Sequence, residues 1–377
     1  MTGDAISIGK IGGIPIKLHV TWFLVAALVA WSLAGAYFPN ADPGYSTGAY
    51  WLAGIGVTIL FFASLLAHEL AHSLVARARG LKVVSITLYL FGGVSQIASE
   101  ATTPGSEFWV TIVGPLTSLA LGIIFGIIWL AIGNASALAS SAFFYLALIN
   151  IFLALFNLLP GLPLDGGRIL QAIVWWRTGN EDESLRVAAT AGVVLGYLMI
   201  AAGIVYVFTG YWVNGLWLIF LGWYLQSMAS QERRAGETRA LFEGLHVSDL
   251  TNTHPYTVNP TTPLDMVVHD VMMPHHVRAV PVLRDGRFDG LLTLDSVGKV
   301  PRDRWPVTTA AEAMIPADKV ATASPGDSAE DAVARMQELD VNQLPVLQDG
   351  RFVGLLSRGT IVQQLELRAR LRHAHQV

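Results

Sequence analysis

Long apolar stretches dominate the first 230 residues of the chain, and short connections separate them. Each stretch holds about the 20 residues that an α-helix needs to cross the hydrocarbon core of a bilayer. The pattern therefore predicts six membrane-spanning helices, near residues 18–38, 50–75, 107–131, 141–159, 184–208 and 211–229. After residue 237 the pattern changes to short strands and amphipathic helices, which predicts a separate α/β region.

Positive charge alternates between the connections of these segments. Ten basic residues fall on one side: Lys10, Lys17, Arg77, Arg79, Lys82, Arg168, Arg177, Arg186, Arg233 and Arg234. The connections on the other side, 39–49, 132–140 and 209–210, hold no Lys or Arg. Because cytoplasmic loops carry the excess of Lys and Arg, we expect a multi-pass protein of the cell membrane with both termini in the cytoplasm. The first apolar segment is long and lacks a small-residue cleavage site, so we expect it to stay as an anchor.

The composition is that of a membrane protein, and it excludes some kinds of binding site. Hydrophobic residues make up 53% of the chain, charged residues make up 14%, and the mean hydropathy is +0.50. The net charge of −4 lies in residues 237–377, because residues 1–236 hold ten basic and ten acidic residues. Neither region is basic enough to predict binding to nucleic acid. Without cysteine the chain can form neither a disulfide nor a cysteine-ligated metal site.

The sequence FFASLLAHELAHSLVARAR, residues 61–79, places three ionisable residues near the end of the second apolar segment. Such residues are costly in a membrane and suggest a function by default. His68 and His72 lie at i and i+4 on one helix face, where two imidazoles can reach one metal ion. Glu69 is rotated by about 100° from His68 and can serve as an acid/base without binding the metal. This is the HExxH pattern of zinc metalloproteases, and the alternative is a chance match.

A candidate third ligand follows the fourth apolar segment. The chain holds no Asp, Glu, Lys or Arg between Glu107 and Asp165, which lies in the sequence NLLPGLPLDGGR, residues 157–168. The Pro and Gly residues predict an irregular backbone, which is tolerated at membrane depth only where protein or water covers it. Asp165 would reach the same side of the membrane as His68. An aspartate that caps a turn is the alternative, and the incomplete two-histidine site favours a ligand.

Residues 81–99, LKVVSITLYLFGGVSQIAS, are rich in β-branched and aromatic residues. They predict two short strands around a turn or bulge at Gly92 and Gly93. An exposed strand edge beside a metal site would suit an extended peptide. A structural hairpin without a role in substrate binding is the alternative.

The C-terminal region contains an internal repeat. RAVPVLRDGRFDGLLTLDSV, residues 278–297, aligns with NQLPVLQDGRFVGLLSRGTI, residues 342–361, at an offset of 64. Each copy predicts a strand, an Asp-Gly turn, a strand and a helix, preceded by an amphipathic helix at 264–273 or 327–339. The predicted divisions are a membrane domain at 1–230, a charged linker at 231–246, repeat domains at 247–300 and 307–366, and a tail at 367–377.

The HELAH motif, the Gly-Gly strand region and the N-x-x-P-x-x-P-x-D-G-G motif together resemble the site-2 protease family of intramembrane zinc metalloproteases. This resemblance implies one zinc ion per chain, bound by His68, His72 and Asp165, with Glu69 as the catalytic acid/base. It implies a transmembrane protein as substrate, in a lipid bilayer. The residues implied in substrate binding are Asn157, Gly92, Gly93, Val94, Ser95 and Gln96.

The repeat region resembles two tandem CBS domains, which some members of that family carry. CBS pairs commonly bind adenosyl nucleotides through an Asp at a fixed place, but Asp295 lies one place early in the first copy and the second copy has no acid there. We therefore expect poor nucleotide binding and a role of the pair in homodimerisation. The expected fold is a polytopic α-helical membrane domain with a short β region, followed by an α/β CBS pair.

Two other classes of protein fit part of the pattern. A CBS-gated transporter or channel would use the His, Glu and Asp cluster as an ion path. Its polar residues should be spread over the depth of the membrane, whereas these lie at one level. A catalytically inactive membrane scaffold is disfavoured, because all four expected catalytic positions are present.

Overall fold

The structure is a computed structural model that describes residues 5–89, 92–97, 101–133, 135–242 and 244–374. The chain forms two compact units, Met1–Gly236 and Glu237–Val377. Each unit has its own clusters of buried apolar side chains, and each is described by itself below.

Long helices form most of the first unit. Among the described residues, five stretches are long and apolar enough to cross a membrane. They are Val20–Ala41, made of α1 (Val20–Ser32), a π-helical turn (Leu33–Tyr37) and α2 (Phe38–Ala41), and then α3 (Thr47–Ala78), α4 (Pro104–Ile132), α5 (Ala137–Asn157) and α7 (Glu181–Phe208). The prediction of a polytopic helical membrane domain is confirmed, with five of the six predicted spans.

The sixth predicted span falls within α8 (Trp212–Phe242). Trp, Tyr, Asn and Gln residues lower the hydropathy of its first part, and its last turns take up much of the predicted linker at 231–246. A Cβ atom on Gly203 of α7 would lie 2.7 Å from the carbonyl oxygen of Gly215, so the two helix backbones are in close contact. Small residues permit such close packing between helices in membranes. The role of α8 as a sixth span stays a prediction.

A short helix, α6 (Asp165–Thr178), connects α5 to α7. Pro160 and Pro163 lie in the turn that follows α5. Proline is disfavoured in the interior of a helix, so both residues favour this break between α5 and α6. Asp165 is the first residue of α6. The turn therefore fixes the position of the one carboxylate that follows the uncharged stretch.

A four-stranded sheet of order β1-β2-β3-β4 packs against α3. Its strands are β1 (Ala5–Ile11), β2 (Ile14–His19), β3 (Val83–Tyr89) and β4 (Gly92–Ile97). The β2–β3 pair is parallel and the other two pairs are antiparallel. Buried Ile14, Ile16 and Ile86 pack with Leu66 and Leu70 of α3, which ties the sheet to the helix that carries the HELAH motif.

The two strands predicted within 81–99 are present as β3 and β4. Gly92 and Gly93 are the first residues of β4 and pair in regular register with Tyr89 and Leu88, so the prediction of a turn or bulge at these glycines is wrong. The sequence pattern does not predict β1 and β2, because Gly9, Gly12 and Gly13 interrupt a short segment. Strand β2 pairs with β3, a contact that is distant in sequence, and β1 pairs with β2.

The second unit contains both predicted repeats. Its helices are α9 (Val247–Leu250), α10 (Leu264–Met266), α11 (Leu294–Gly298), α12 (Ala310–Ala313), α13 (Ala329–Glu338) and α14 (Arg358–Ala374). Its strands are β5 (Ala279–Arg284), β6 (Arg287–Thr293), β7 (Ile315–Pro316), β8 (Gln343–Gln348) and β9 (Arg351–Ser357). The amphipathic segment of the first copy is α10 followed by a π-helical turn, Val267–Met272, and that of the second is α13. Residues 367–374 of the predicted tail continue α14.

The two hairpins of the repeat share one sheet of order β5-β6-β9-β8, with β7 beside β6. Asp285 and Gly286 both have positive φ, at 50° and 78°, and Asp349 and Gly350 have φ of 51° and 76°. An Asp-Gly pair with two positive φ values forms the tight turn that matches the twist of a hairpin. The prediction of two strand–turn–strand copies is therefore confirmed.

The repeat predicts that equivalent core positions contribute about equally to the stability of the second unit. Leu292 and Leu356 differ by the offset of 64 and are both 0% exposed, each in a different cluster. We expect Leu292→Ala and Leu356→Ala each to lower the free energy of unfolding of residues 237–377 by about 2–5 kcal/mol, measured by urea denaturation. Leu294→Ala, at a side chain that is 50% exposed, should cost less than about 0.5 kcal/mol. An equal loss in all three variants would contradict this account of the two cores.

Candidate metal centre

Helix α3 brings the two histidines of the HELAH motif to one point inside the first unit. His68 and His72 are 3% and 8% exposed, and their Nε2 atoms are 3.1 Å apart. The i,i+4 spacing places both rings on the face of α3 that packs against α4 and lies next to Asp165. Two potential ligand atoms thus converge in an apolar interior.

Asp165 of α6 reaches the same point. Its Oδ2 atom lies 3.1 Å from Nε2 of His68 and 3.5 Å from Nε2 of His72. Within the described part of the chain, these three residues are the group of His, Asp and Glu side chains close enough to hold a metal ion. The structure therefore brings together the three ligands that the sequence analysis named, from two helices 97 residues apart.

The outer nitrogens of both rings are held by α4. Nδ1 of His72 donates to the carbonyl oxygen of Val110 at 2.7 Å, and Nδ1 of His68 is 2.9 Å from Oγ of Ser118. A carbonyl oxygen can only accept, so His72 carries its hydrogen on Nδ1 and leaves a lone pair on Nε2. The Ser118 hydroxyl can accept from His68 in the same way, which fixes the orientation of ligating imidazoles.

Gly114 lies between these two contacts on the same stripe of α4. A Cβ atom there would be 2.1 Å from Nε2 of His72 and 2.7 Å from Nε2 of His68. Only glycine leaves room for both rings against this helix. The sequence did not predict roles for Val110, Gly114 and Ser118, which lie at i, i+4 and i+8 on one face of α4.

The three inner atoms lie close enough together to act as ligands of one metal ion. With both Nδ1 atoms protonated, the two Nε2 atoms and the carboxylate oxygen all present lone pairs. A bound cation would be coordinated by all three of these atoms. Ligands held ~2.0–2.1 Å from a tetrahedral zinc lie about 3.3–3.4 Å apart, close to the 3.1, 3.1 and 3.5 Å found here. The residues therefore fit a zinc ion with an open fourth position.

Glu69 lies beside the centre and contacts strand β4. Oγ of Ser95 donates to its Oε2 atom at 2.9 Å. A Cβ atom on Gly93 would lie 2.3 Å from Cγ of Glu69, so the strand backbone and the glutamate side chain are in close contact. Two residues of the predicted substrate-binding set, Gly93 and Ser95, thus lie against the predicted acid/base.

The other members of the substrate-binding set are placed differently. Gly92 begins β4, and Val94 pairs with Thr87 of β3. Gln96 accepts a hydrogen bond from Oγ of Ser85 at 3.0 Å through its side-chain oxygen. Asn157 is the last residue of α5 and is partly exposed, and among the described residues its side chain has no hydrogen-bond partner.

Substitution of Gly114 tests whether this arrangement holds a metal. We expect Gly114→Ala to lower the affinity for zinc by more than about tenfold, because the added methyl group displaces both imidazoles. Gly126→Ala is the matched control on α4, since a Cβ atom there would meet Ala147 at 3.9 Å, an ordinary contact. The test is the amount of zinc bound by each purified protein, measured by mass spectrometry over a range of free zinc concentrations. Full zinc content in both variants would contradict the proposed position of the site.

Comparison with known proteins agrees with this geometry. Residues 56–134 and 126–202 match Peptidase family M50, and residues 247–300 and 310–367 match the CBS domain. Rip3 of Mycobacterium tuberculosis, a protein named as a zinc metalloprotease, is 35% identical over 97% of this chain and 93% of its own length. The Synechocystis protein sll0528, with the same type of name, is 32% identical over 97% of this chain and 96% of its own.

A solved structure, the site-2 protease from Methanocaldococcus jannaschii, covers 61% of this chain and 95% of its own, with 30% identity and a TM-score of 0.41. The family assignment does not depend on this structure, because the 35% sequence identity with Rip3 extends over nearly the whole length of both chains. The relatives confirm the predictions of a metalloprotease and of zinc as its cofactor, and they favour neither a transporter nor an ion channel. The chain therefore belongs to peptidase family M50, the site-2 protease family of zinc metalloproteases, and it carries two CBS domains.

Proposed function

We propose that this enzyme hydrolyses a peptide bond within or next to a transmembrane segment of a membrane-protein substrate. One observation carries the proposal. Two imidazole nitrogens and one carboxylate oxygen lie 3.1–3.5 Å apart in a buried place, among helices long enough to span a bilayer. A centre inside such a bundle is within reach of peptide bonds that lie in the membrane. This location supports regulated intramembrane proteolysis rather than cleavage of soluble proteins.

Within this proposal His68, His72 and Asp165 bind one zinc ion per chain. Zinc in such a site supplies Lewis acidity, which polarises a peptide carbonyl and makes water a better nucleophile at neutral pH. Glu69 accepts the proton of the attacking water and passes it to the departing nitrogen. Its carboxylate is suited to this role because it lies beside the ligands on α3 and is held by Ser95 at 2.9 Å.

The depth of the site follows from the length of α3. The helix has 32 residues, or about 48 Å, and therefore exceeds a hydrocarbon core of about 30 Å. His68 lies ten residues before its end at Ala78, next to Arg77 and Arg79. Because the basic connections are assigned to the cytoplasm, we place the site near the cytoplasmic face of the cell membrane, with both termini in the cytoplasm.

Strand β4 is proposed to bind the substrate. It is the last strand of the order β1-β2-β3-β4, so one of its edges pairs with β3 and the other is the edge of the described sheet. An unwound stretch of substrate that pairs with this edge would recover the backbone hydrogen bonds that its helix loses. The contact of Gly93 and Ser95 with Glu69 supports this role over a purely structural hairpin. Asn157 is proposed to contact substrate at the end of α5.

The second unit is proposed to join two copies of the chain or to hold a cytoplasmic partner near the membrane. Asp295 lies in the first turn of α11, one place away from the position that would bind ribose hydroxyls, and Arg358 and Gly359 begin α14 in the second copy. Loss of a carboxylate that accepts two hydroxyl hydrogen bonds costs about 1.5–3 kcal/mol, or roughly ten- to a hundredfold in affinity. Poor binding of ATP and AMP is therefore proposed.

Two substitutions separate the proposed acid/base from the proposed ligands. In proteoliposomes with a panel of single-span membrane proteins, Glu69→Gln should slow cleavage by about 10²–10⁴-fold while one zinc per chain stays bound. Asp165→Asn should lower both zinc affinity and cleavage, because a neutral amide is a poorer ligand. Glu107→Gln is the control: this acid pairs with Arg168 at 3.4 Å and should leave cleavage unchanged.

Chelation should abolish cleavage by the unsubstituted enzyme, and added zinc should restore it. Cleavage that persists in Glu69→Gln would remove the acid/base role from this residue. Unchanged zinc affinity in Asp165→Asn would return Asp165 to the role of a turn cap. Cleavage of soluble substrates alone would contradict the intramembrane assignment.

A further inference from the structure

A chain of hydrogen bonds connects the sheet to the glutamate of the HELAH motif. Oγ of Ser95 lies 2.9 Å from Oε2 of Glu69 and 3.2 Å from Oγ of Ser73. Ser73 is fully buried, and it stands one turn after Glu69 on α3. One serine of β4 is therefore bound between two side chains on the same face of α3.

The direction of this chain is fixed by the chemistry of its members. An ionised carboxylate can only accept, so the single hydroxyl hydrogen of Ser95 points to Oε2 of Glu69. The 3.4 Å distance from Ser95 Oγ to the backbone oxygen of Glu69 is the weaker contact. Ser95 then has lone pairs left, and Ser73 donates to one of them. Ser73 orients Ser95, and Ser95 orients the carboxylate.

The position of Ser95 is in turn fixed by the register of the sheet. Ser95 pairs with Ile86, which is 0% exposed and packs against α3. A slip of one residue would turn Ser95 to the other face of the sheet and expose the Ile86 face. Gly93, on the same face as Ser95, lies against Cγ of Glu69 and leaves that side chain little space for another rotamer. Strand β4 thus constrains both the aliphatic part and the carboxylate of the Glu69 side chain.

We propose that Ser95 is a positioning residue that holds Glu69 in its reactive orientation, with Ser73 behind it. The proposal rests on the proposed function, in which Glu69 is the acid/base and β4 binds the substrate. It changes the role of Ser95, whose side chain serves the glutamate while its backbone belongs to the substrate-binding edge. The strand that receives the substrate then also sets the geometry of proton transfer.

The effect should fall on the rate of the chemical step. A glutamate has three side-chain torsions, and misplacement of a catalytic group by about 1 Å can cost a hundredfold in rate. Hydrogen bonds to charged groups contribute enough to predict a drop in kcat of roughly ten- to a hundredfold for Ser95→Ala. KM should change little, because the backbone of β4 is intact. Zinc content should stay at one per chain, because Ser95 contacts none of the three ligands.

The test compares four variants of the full chain in proteoliposomes, with kcat, KM and zinc content measured for each. Ser95→Ala should show the loss in kcat, Ser95→Thr should restore most of it, and Ser73→Ala should show a smaller loss. Ser85→Ala is the matched control, because Ser85 is 1% exposed and donates to Gln96 in the same sheet, on the face away from Glu69. It should keep the kcat of the unsubstituted enzyme.

Equal loss of kcat in Ser85→Ala and Ser95→Ala, or no rescue by Ser95→Thr, would overturn the proposal in favour of a structural role. A second measurement needs no cleavage at all. The melting temperatures of Ser95→Ala, Glu69→Ala and the double variant should be non-additive, because each substitution removes the one hydrogen bond that the two residues share. Additive shifts would overturn the proposal. Absence of cleavage by the unsubstituted enzyme would instead count against the proposed function.

Discussion

The convergence of two imidazoles and one carboxylate in a buried place is the constraint on which the membrane unit depends. Two imidazole nitrogens and one carboxylate oxygen lie 3.1–3.5 Å apart in the interior of this unit. Polar groups removed from water are costly unless they are paired, and charges are more costly still. A cation bound at this point would offset the cost of burying these three polar groups. Family membership identifies that cation as zinc.

The surrounding elements each meet one demand of this site. Helix α3 carries two candidate ligands through its own periodicity, and the turn before α6 positions the third. Helix α4 carries no candidate ligand, but it forms hydrogen bonds with the outer nitrogens of both rings and leaves space for them at Gly114. The sheet reaches the site from the other direction, where β4 contacts Glu69. Ligand binding and proton transfer are thus held by separate parts of the fold.

The sequence predicted the parts of the site that depend on local spacing. His68, Glu69 and His72 follow from helix periodicity, and Asp165 follows from an isolated carboxylate in a Pro- and Gly-rich turn at a matching depth. The contribution of α4 was not predicted, because a backbone carbonyl and a missing methyl group have no motif of their own. The contact of Ser95 with Glu69 was also beyond prediction, since it depends on the register of β4 against β3.

The same distinction applies to the fold. Apolar runs predicted five spans that the structure contains, whereas the Trp- and Tyr-rich α8 stays a predicted sixth. The Asp-Gly turns predicted the hairpins of the second unit because the signal lies in two adjacent residues. Strands β1 and β2 were not predicted, because β2 pairs with β3, which lies about seventy residues further along the chain, and β1 pairs with β2.

The central claim is that two histidines and one aspartate hold the catalytic zinc inside the membrane unit. X-ray absorption at the zinc edge of the purified enzyme tests it most directly. We predict one zinc per chain with two imidazole nitrogens and oxygen ligands at ~2.0–2.2 Å, and loss of one imidazole signal in His72→Ala. A spectrum with a sulfur ligand, or one that His72→Ala leaves unchanged, would contradict the account.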